Sequence, residues 1–174
     1  MAITIIVIVA LLLLAVLGVA ATRPNEFRVQ RTTRINAAPD RILPNIADFH
    51  RWEAWSPYEK LDAAMVKTHS GAASGPGAVY EWEGNSKVGK GRMEILEAAP
   101  RKVTVKLDFM RPFEAHNTAE FRLDPVDDAT DVTWAMYGPS PYMIKVMGVF
   151  FNMDKLAGKD FETGLANLKQ VAER

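Results

Sequence analysis

The chain has 174 residues, with Lys+Arg 21 against Asp+Glu 21, a formal net charge of +0 and no cysteine. Balanced charge without a basic cluster argues against nucleic-acid binding, and the lack of cysteine excludes disulfides, thiolate metal sites and a cysteine nucleophile. The three histidines, His50, His69 and His116, stand far apart without ligand spacing, so no metal or other cofactor is expected.

Ala2 to Thr22 carries no charged side chain. At ~1.5 Å per helical residue such a run crosses the ~30 Å hydrocarbon core of a bilayer, and a helix satisfies its own backbone polar groups there. The competing reading is a cleaved secretory signal, with Val19-Ala20-Ala21 as the cleavage site. It is the weaker one, because no Lys or Arg precedes the run and the run is longer than a signal core of roughly 7–15 residues. The expected organisation is a single-pass transmembrane anchor over 1–22, a linker over 23–26 and one soluble domain over 27–174. The downstream flank holds Arg23, Arg28, Arg31 and Arg34 against Glu26 alone, which predicts a cytoplasmic domain. The alternative for these arginines is strand residues facing water.

Phe27 to Ile35 alternates, with Phe27, Val29, Thr33 and Ile35 on one parity, and period two predicts a half-buried strand. Asn36-Ala37-Ala38-Pro39-Asp40 turns the chain into a short helix carrying Ile42, Leu43 and Ile46, with Pro39 suited to its first turn and Pro44 keeping it short. Phe49 to Tyr58 is a second short helix or turn, dense in aromatics.

From Ala64 to Tyr137 the pattern predicts about six strands. The apolar parities are Tyr80 and Trp82; Met93 and Ile95; Val103, Val105, Leu107 and Phe109; Asn117, Ala119, Phe121 and Leu123; Val132, Trp134 and Met136. Consecutive strands with tight turns imply an antiparallel sheet with one buried face. Gly138-Pro139-Ser140-Pro141 ends it. Phe150, Met153, Ala157, Phe161, Leu165, Leu168 and Ala172 then recur at three- and four-residue steps, predicting one long helix. Gly148, Gly158 and Gly164 each weaken that helix by ~1 kcal/mol relative to Ala, so close packing against them is expected. The helix is the one element large enough to cover the apolar face.

This order resembles the helix-grip fold of the START-like (SRPBCC) superfamily, in its polyketide cyclase/dehydrase and lipid-transport branch. The residues carrying the resemblance are Asn36 to Asp40, Asp48-Phe49-His50-Arg51-Trp52-Glu53-Ala54-Trp55-Ser56-Pro57-Tyr58, Gly75 to Asn85, Gly89 to Ile95, Val132 to Gly138 and Phe161 to Lys169. It covers Phe27 to Ala172 and implies an α+β fold, a curved antiparallel sheet wrapped on a long C-terminal helix and preceded here by one N-terminal transmembrane helix. Members bind lipids, hormones or polyketides, and some are cyclases, so the resemblance specifies fold rather than function.

A cavity between sheet and helix would be lined by aromatics and a few polar groups. The candidate ligand-binding residues are Trp52, Trp55, Tyr80, Trp82, Asn117, Trp134, Phe150, Met153 and Phe161. Each aromatic taken singly reads first as core packing, the pocket reading resting on the group, and Asn117 reads equally as a partner for a neighbouring backbone. Glu81, Glu83, Glu94 and Glu120 fall on the solvent parity, so no inward acid–base pair is expected and no catalytic residue is assigned. Tyr142 to Met153 is apolar nearly all round, with Lys145 its only charge. It reads as a helix buried on several sides, or as a lid or membrane-dipping surface. The expected partners are a small hydrophobic or lipid-like molecule and, through residues 2–22, the membrane. The leading function is a membrane-tethered binding protein for that molecule. The alternatives are a polyketide cyclase/dehydrase-like enzyme on a hydrophobic substrate, and a closed-core interaction module.

Overall fold

A computed structural model describes residues 2–150 and 152–174, leaving aside the side chains of Met153 and Leu156. Helix α1 (Ala2–Ala21) leads through a short linker into β1 (Glu26–Ile35). Helix α2 (Pro39–Ile46) and two 3₁₀ turns, Phe49–Ala54 and Pro57–Lys60, follow. The remaining strands are β2 (Val66–Gly71), β3 (Ala78–Glu83), β4 (Lys90–Ala99), β5 (Lys102–Arg111), β6 (Ala115–Val126) and β7 (Ala129–Pro139), and helices α3 (Tyr142–Phe150) and α4 (Met153–Ala172) complete the chain.

The seven strands form one antiparallel sheet in the order β1-β7-β6-β5-β4-β3-β2. The parities read from the sequence are the buried ones: Val29 and Ile35, Tyr80 and Trp82, Met93 and Ile95, Val103 and Val105, Phe121 and Leu123, Val132 and Trp134. Phe161, Leu165 and Leu168 on α4 bury against this face. The fold is the expected α+β helix-grip arrangement, preceded by a 20-residue apolar helix long enough to cross a membrane.

The C-terminal region departs from the expected single helix. Asn152 interrupts the stripe: its extended backbone and its side chain, which accepts from Lys155 N at 3.1 Å, start α4 afresh. Phe150 therefore ends α3 and is 67% exposed, off the α4 stripe. Met153 opens α4 with its side chain outside the description, and Phe151 lies outside the described residues.

Two of the flagged glycines meet their neighbours closely. A Cβ at Gly164 would stand 2.7 Å from the Trp134 ring and 3.1 Å from Pro57, and one at Gly158 would overlap the Arg31 guanidinium. Arg31 shares the inward parity of β1 and binds α4 through Asp154 and Glu162, tying the first strand to the last helix. Arg34 pairs with Asp131, and Arg28 lies 5.0 Å over the Tyr137 ring. Three of the four flank arginines are thus strand residues with partners inside the domain, and Arg23 is the one in the linker.

Candidate functional site

The two ends of the sheet are packed differently. Where β1 ends and β7 begins, Ile35, Ile95, Val103, Leu123, Val132 and Leu168 are all fully buried. Toward the other end, where β1 begins, a cavity of about 180 Å³ opens between sheet and α4. Protein interiors leave few voids larger than a water molecule, so this space is an exception to close packing.

Its wall includes Met65 ahead of β2 and Lys87 and Val88 of the β3–β4 turn, beside contributions from the 3₁₀ turns, the sheet and α4. The 3₁₀ turns supply Trp52, Tyr58 and Glu59; β3 supplies Tyr80 and Trp82; β4 to β7 supply Met93, Leu107, Phe109, Ala119, Trp134 and Met136; α4 supplies Phe161. Trp134 anchors the aromatic part, stacked on Phe161 at 4.2 Å and 9° and on Phe121 at 5.1 Å and 27°. Its indole Nε1 is buried without a hydrogen-bond partner among the described residues. Trp82 lies against Gly91, its cross-strand partner, and donates to the Val88 carbonyl at 2.9 Å. The absence of a Cβ at Gly91 is what lets the indole settle there.

Ser56, Lys87 and a paired set around Glu59 interrupt this apolar lining. Tyr80 Oη donates to Glu59 Oε1 at 2.8 Å, and Lys67 from β2 pairs with Oε2 at 2.5 Å. The Glu59 side chain is 6% exposed. Burial first, then the Glu59 hydrogen bond, pushes the Tyr80 phenol well above its ordinary pKa, so it stays a donor. Burial and the nearby Asp160 carboxylate do the same for Tyr58. The polar end of the cavity is thus a carboxylate held between a phenol and an ammonium.

Of the nine residues expected to bind ligand, Trp52, Tyr80, Trp82, Trp134 and Phe161 converge on the cavity. Trp55 is buried behind it, donating to the Asn45 carbonyl at 2.9 Å. Asn117 is buried on the expected parity but packs its Oδ1 over Gly138, away from the lining. Phe150 projects from α3 outside the cavity, and the side chain of Met153 is not described.

Glu59 was missed by the sequence reading. It follows Ser56-Pro57-Tyr58 in a 3₁₀ turn, where alternation gives no inward or outward parity. The one signal was its place beside an aromatic-rich turn. His116 lies on the outer face, bonded to Asp108 at 2.8 Å, as the strand parity implied.

A curved antiparallel sheet wrapped on a long last helix defines the helix-grip class of domains. The sequence profile for polyketide cyclase / dehydrase and lipid transport proteins matches residues 26–173. The chain belongs to that family. Solved structures share the fold at low identity. Protein CV1439 from Chromobacterium violaceum is 16% identical, with TM-score 0.59, covering 87% of this chain and 99% of that one. The Aha1 dimer from Colwellia psychrerythraea is 16% identical, with TM-score 0.58, covering 84% and 96%. The di-domain ARO/CYC StfQ from the steffimycin biosynthetic pathway is 10% identical, with TM-score 0.60, covering 85% of this chain and 51% of its own. At these identities the likeness concerns fold alone. A sequence search of curated proteins finds no match.

Proposed function

We propose that the chain is a membrane-tethered helix-grip protein that holds a small hydrophobic or lipid-like molecule between sheet and α4. The observation that carries this reading is the cavity of about 180 Å³ lined by Trp52, Trp82, Trp134 and Phe161. Apolar walls with a few placed polar groups are what a small-molecule site requires. In this reading the aromatics take the apolar body of the ligand, and Glu59 with Tyr80 takes its polar end. Helix α1 holds the domain at a membrane, where such molecules dissolve, and Arg23 keeps the domain on the cytoplasmic side.

The test is mass spectrometry of an organic extract of the purified full chain, beside an Ala119→Phe variant. Ala119 lines the cavity, so a phenyl group there fills it. A stoichiometric hydrophobic molecule recovered from the native chain and missing from the variant supports the reading. Equal amounts from both put the molecule outside the cavity, and none from either favours a closed-core interaction module; both outcomes remove the reading.

A second reading has one observation in its favour. Glu59 is a carboxylate inside the cavity, within hydrogen-bond reach of a phenol, which is the kind of group a cyclase/dehydrase-like enzyme needs for proton transfer. The di-domain ARO/CYC StfQ carries this fold. Chemical change of an aromatic polyketide by the native chain, lost in Glu59→Gln, would establish this reading over simple carriage.

A further inference from the structure

The strand register places several features at one end of the sheet. Glu26 pairs with Pro139, Phe109 with Ala115, and Lys90 with both Glu83 and Arg111. The start of β1, the end of β7, the β5–β6 turn and the β3–β4 turn therefore share that end. Helix α1 arrives there, α3 departs there, and the cavity lies toward it through Val88 and Phe109.

The exposed large apolar side chains gather at the same end. Outside α1, and among the described residues, they are Met110 and Phe113 at the β5–β6 turn, Tyr142, Met143, Met147 and Phe150 on α3, Leu61 and Val66 at the start of β2, and Leu96. Leu96 alone lies away from this end. Phe113 is 60% exposed and Met143 68%. An apolar grouping of this kind on a domain surface marks a binding face.

Helix α3 also touches the apolar stretch of α1. Tyr142 Oη donates to the Leu17 carbonyl at 2.8 Å. Leu17 lies four residues inside the end of α1, about 6 Å along the helix axis at ~1.5 Å per residue. The one charge on α3, Lys145, is turned away: it is 9% exposed and donates to Asn25 Oδ1. The remaining α3 surface is uncharged.

We propose that this end of the domain is a bilayer-docking face. Helix α3 lies in the membrane interface with Tyr142 and Met143 beside the last turns of α1, and the β5–β6 turn enters the same surface through Met110 and Phe113. The occupant is the lipid bilayer, because the face is continuous with a helix whose whole length is lipid-compatible and because Tyr142 reaches into that length. Tyrosine at the hydrocarbon boundary is the usual placement for its amphipathic ring. The consequence is a domain held against the membrane, with its cavity facing the lipid rather than swinging on a tether. The proposal rests on α1 being a membrane span.

The cysteine-free chain suits a direct test. Single-cysteine variants Leu12→Cys, Phe113→Cys, Met143→Cys and Asp128→Cys of the full chain are labelled with an environment-sensitive nitrobenzoxadiazole dye. They are reconstituted in phosphatidylcholine vesicles containing lipids spin-labelled at a shallow and, in a parallel sample, at a deep acyl position, the deep label being the quencher for Leu12→Cys. Leu12 reports the anchor, and Asp128, in the turn at the opposite end of the sheet, reports water. The expected result is strong quenching at Leu12→Cys, Phe113→Cys and Met143→Cys and none at Asp128→Cys. Phe113→Cys and Met143→Cys behaving as Asp128→Cys, with Leu12→Cys quenched, overturns the docking face and leaves the anchor standing. An unquenched Leu12→Cys overturns the anchor, and the docking face with it.

Discussion

Glu59 and Tyr80 meet at the cavity wall, the phenol donating to one carboxylate oxygen at 2.8 Å while Lys67 pairs with the other. A carboxylate with 6% side-chain exposure is stable there only because both oxygens are engaged. Removing it strands a buried phenol and a lysine that is 27% exposed and can recover part of its hydration. Glu59→Ala is expected to cost about 2–3 kcal/mol and Tyr80→Phe about 1–2 kcal/mol, read from thermal or urea unfolding of the full chain.

Gly164 and Gly158 lie on the same helix and answer differently to alanine. At Gly164 the new methyl meets the edge of Trp134, a ring fixed by stacking on Phe161, and Pro57. Overpacking against rigid groups outweighs the ~1 kcal/mol gained in helix propensity, so Gly164→Ala should lose about 1–2 kcal/mol. At Gly158 the obstacle is the end of a flexible arginine side chain. Arg31 can swing aside, giving up exposed ion pairs that are worth little, so Gly158→Ala should fall within about 1 kcal/mol of neutral. Unfolding midpoints of the two variants decide this; equal losses would contradict the packing argument.

His69 should make the protein acid-sensitive. Burial first, then the stacked His50 ring at 4.2 Å, lowers its pKa below the ordinary 6.5. The unfolded chain then binds the proton more readily than the folded one. Stability is therefore full above about pH 6.5, and it declines as pH falls through that value until the folded imidazole also protonates. Measured against His69→Gln, the melting temperature of the native chain should drop between pH ~7 and ~5; the comparison cancels the opposite contribution of His116, whose pKa the Asp108 hydrogen bond raises.

Ala119 offers a gain-of-volume test of the cavity itself. Inserting a large side chain into a well-packed core costs about 1–3 kcal/mol. Here a space of about 180 Å³ is adjacent, so Ala119→Leu should be close to neutral in unfolding experiments. The same change at Ala37, 4% exposed and outside the cavity lining, should cost the ordinary amount.

The strands and their faces were legible in the sequence because a half-buried sheet imposes period two on side chains, and Tyr80, Trp82, Met93, Ile95, Val132 and Trp134 obey it. The apolar helix α1 was legible because spanning length and absence of charge are local properties. The reason for Gly164 was legible only in kind: a close neighbour was required, and Trp134 supplies it. The break at Asn152 was hidden, since Phe150 continues the apolar spacing while the capping side chain overrides it.

Tertiary structure alone decided the rest. Trp52 and Trp55 stand three residues apart with similar chemistry and pack ring on ring at 4.9 Å, yet Trp52 reaches the cavity while the Trp55 indole turns to the Asn45 carbonyl. Glu59 became a cavity residue only when Lys67 and Tyr80, on two later strands, closed around it. The basic flank dissolved in the same way, since Arg31 and Arg34 are claimed by Asp154, Glu162 and Asp131 from the far end of the chain. Periodicity and composition report how each segment meets its immediate surroundings. Which distant groups supply those surroundings is a property of the folded sheet and its covering helix.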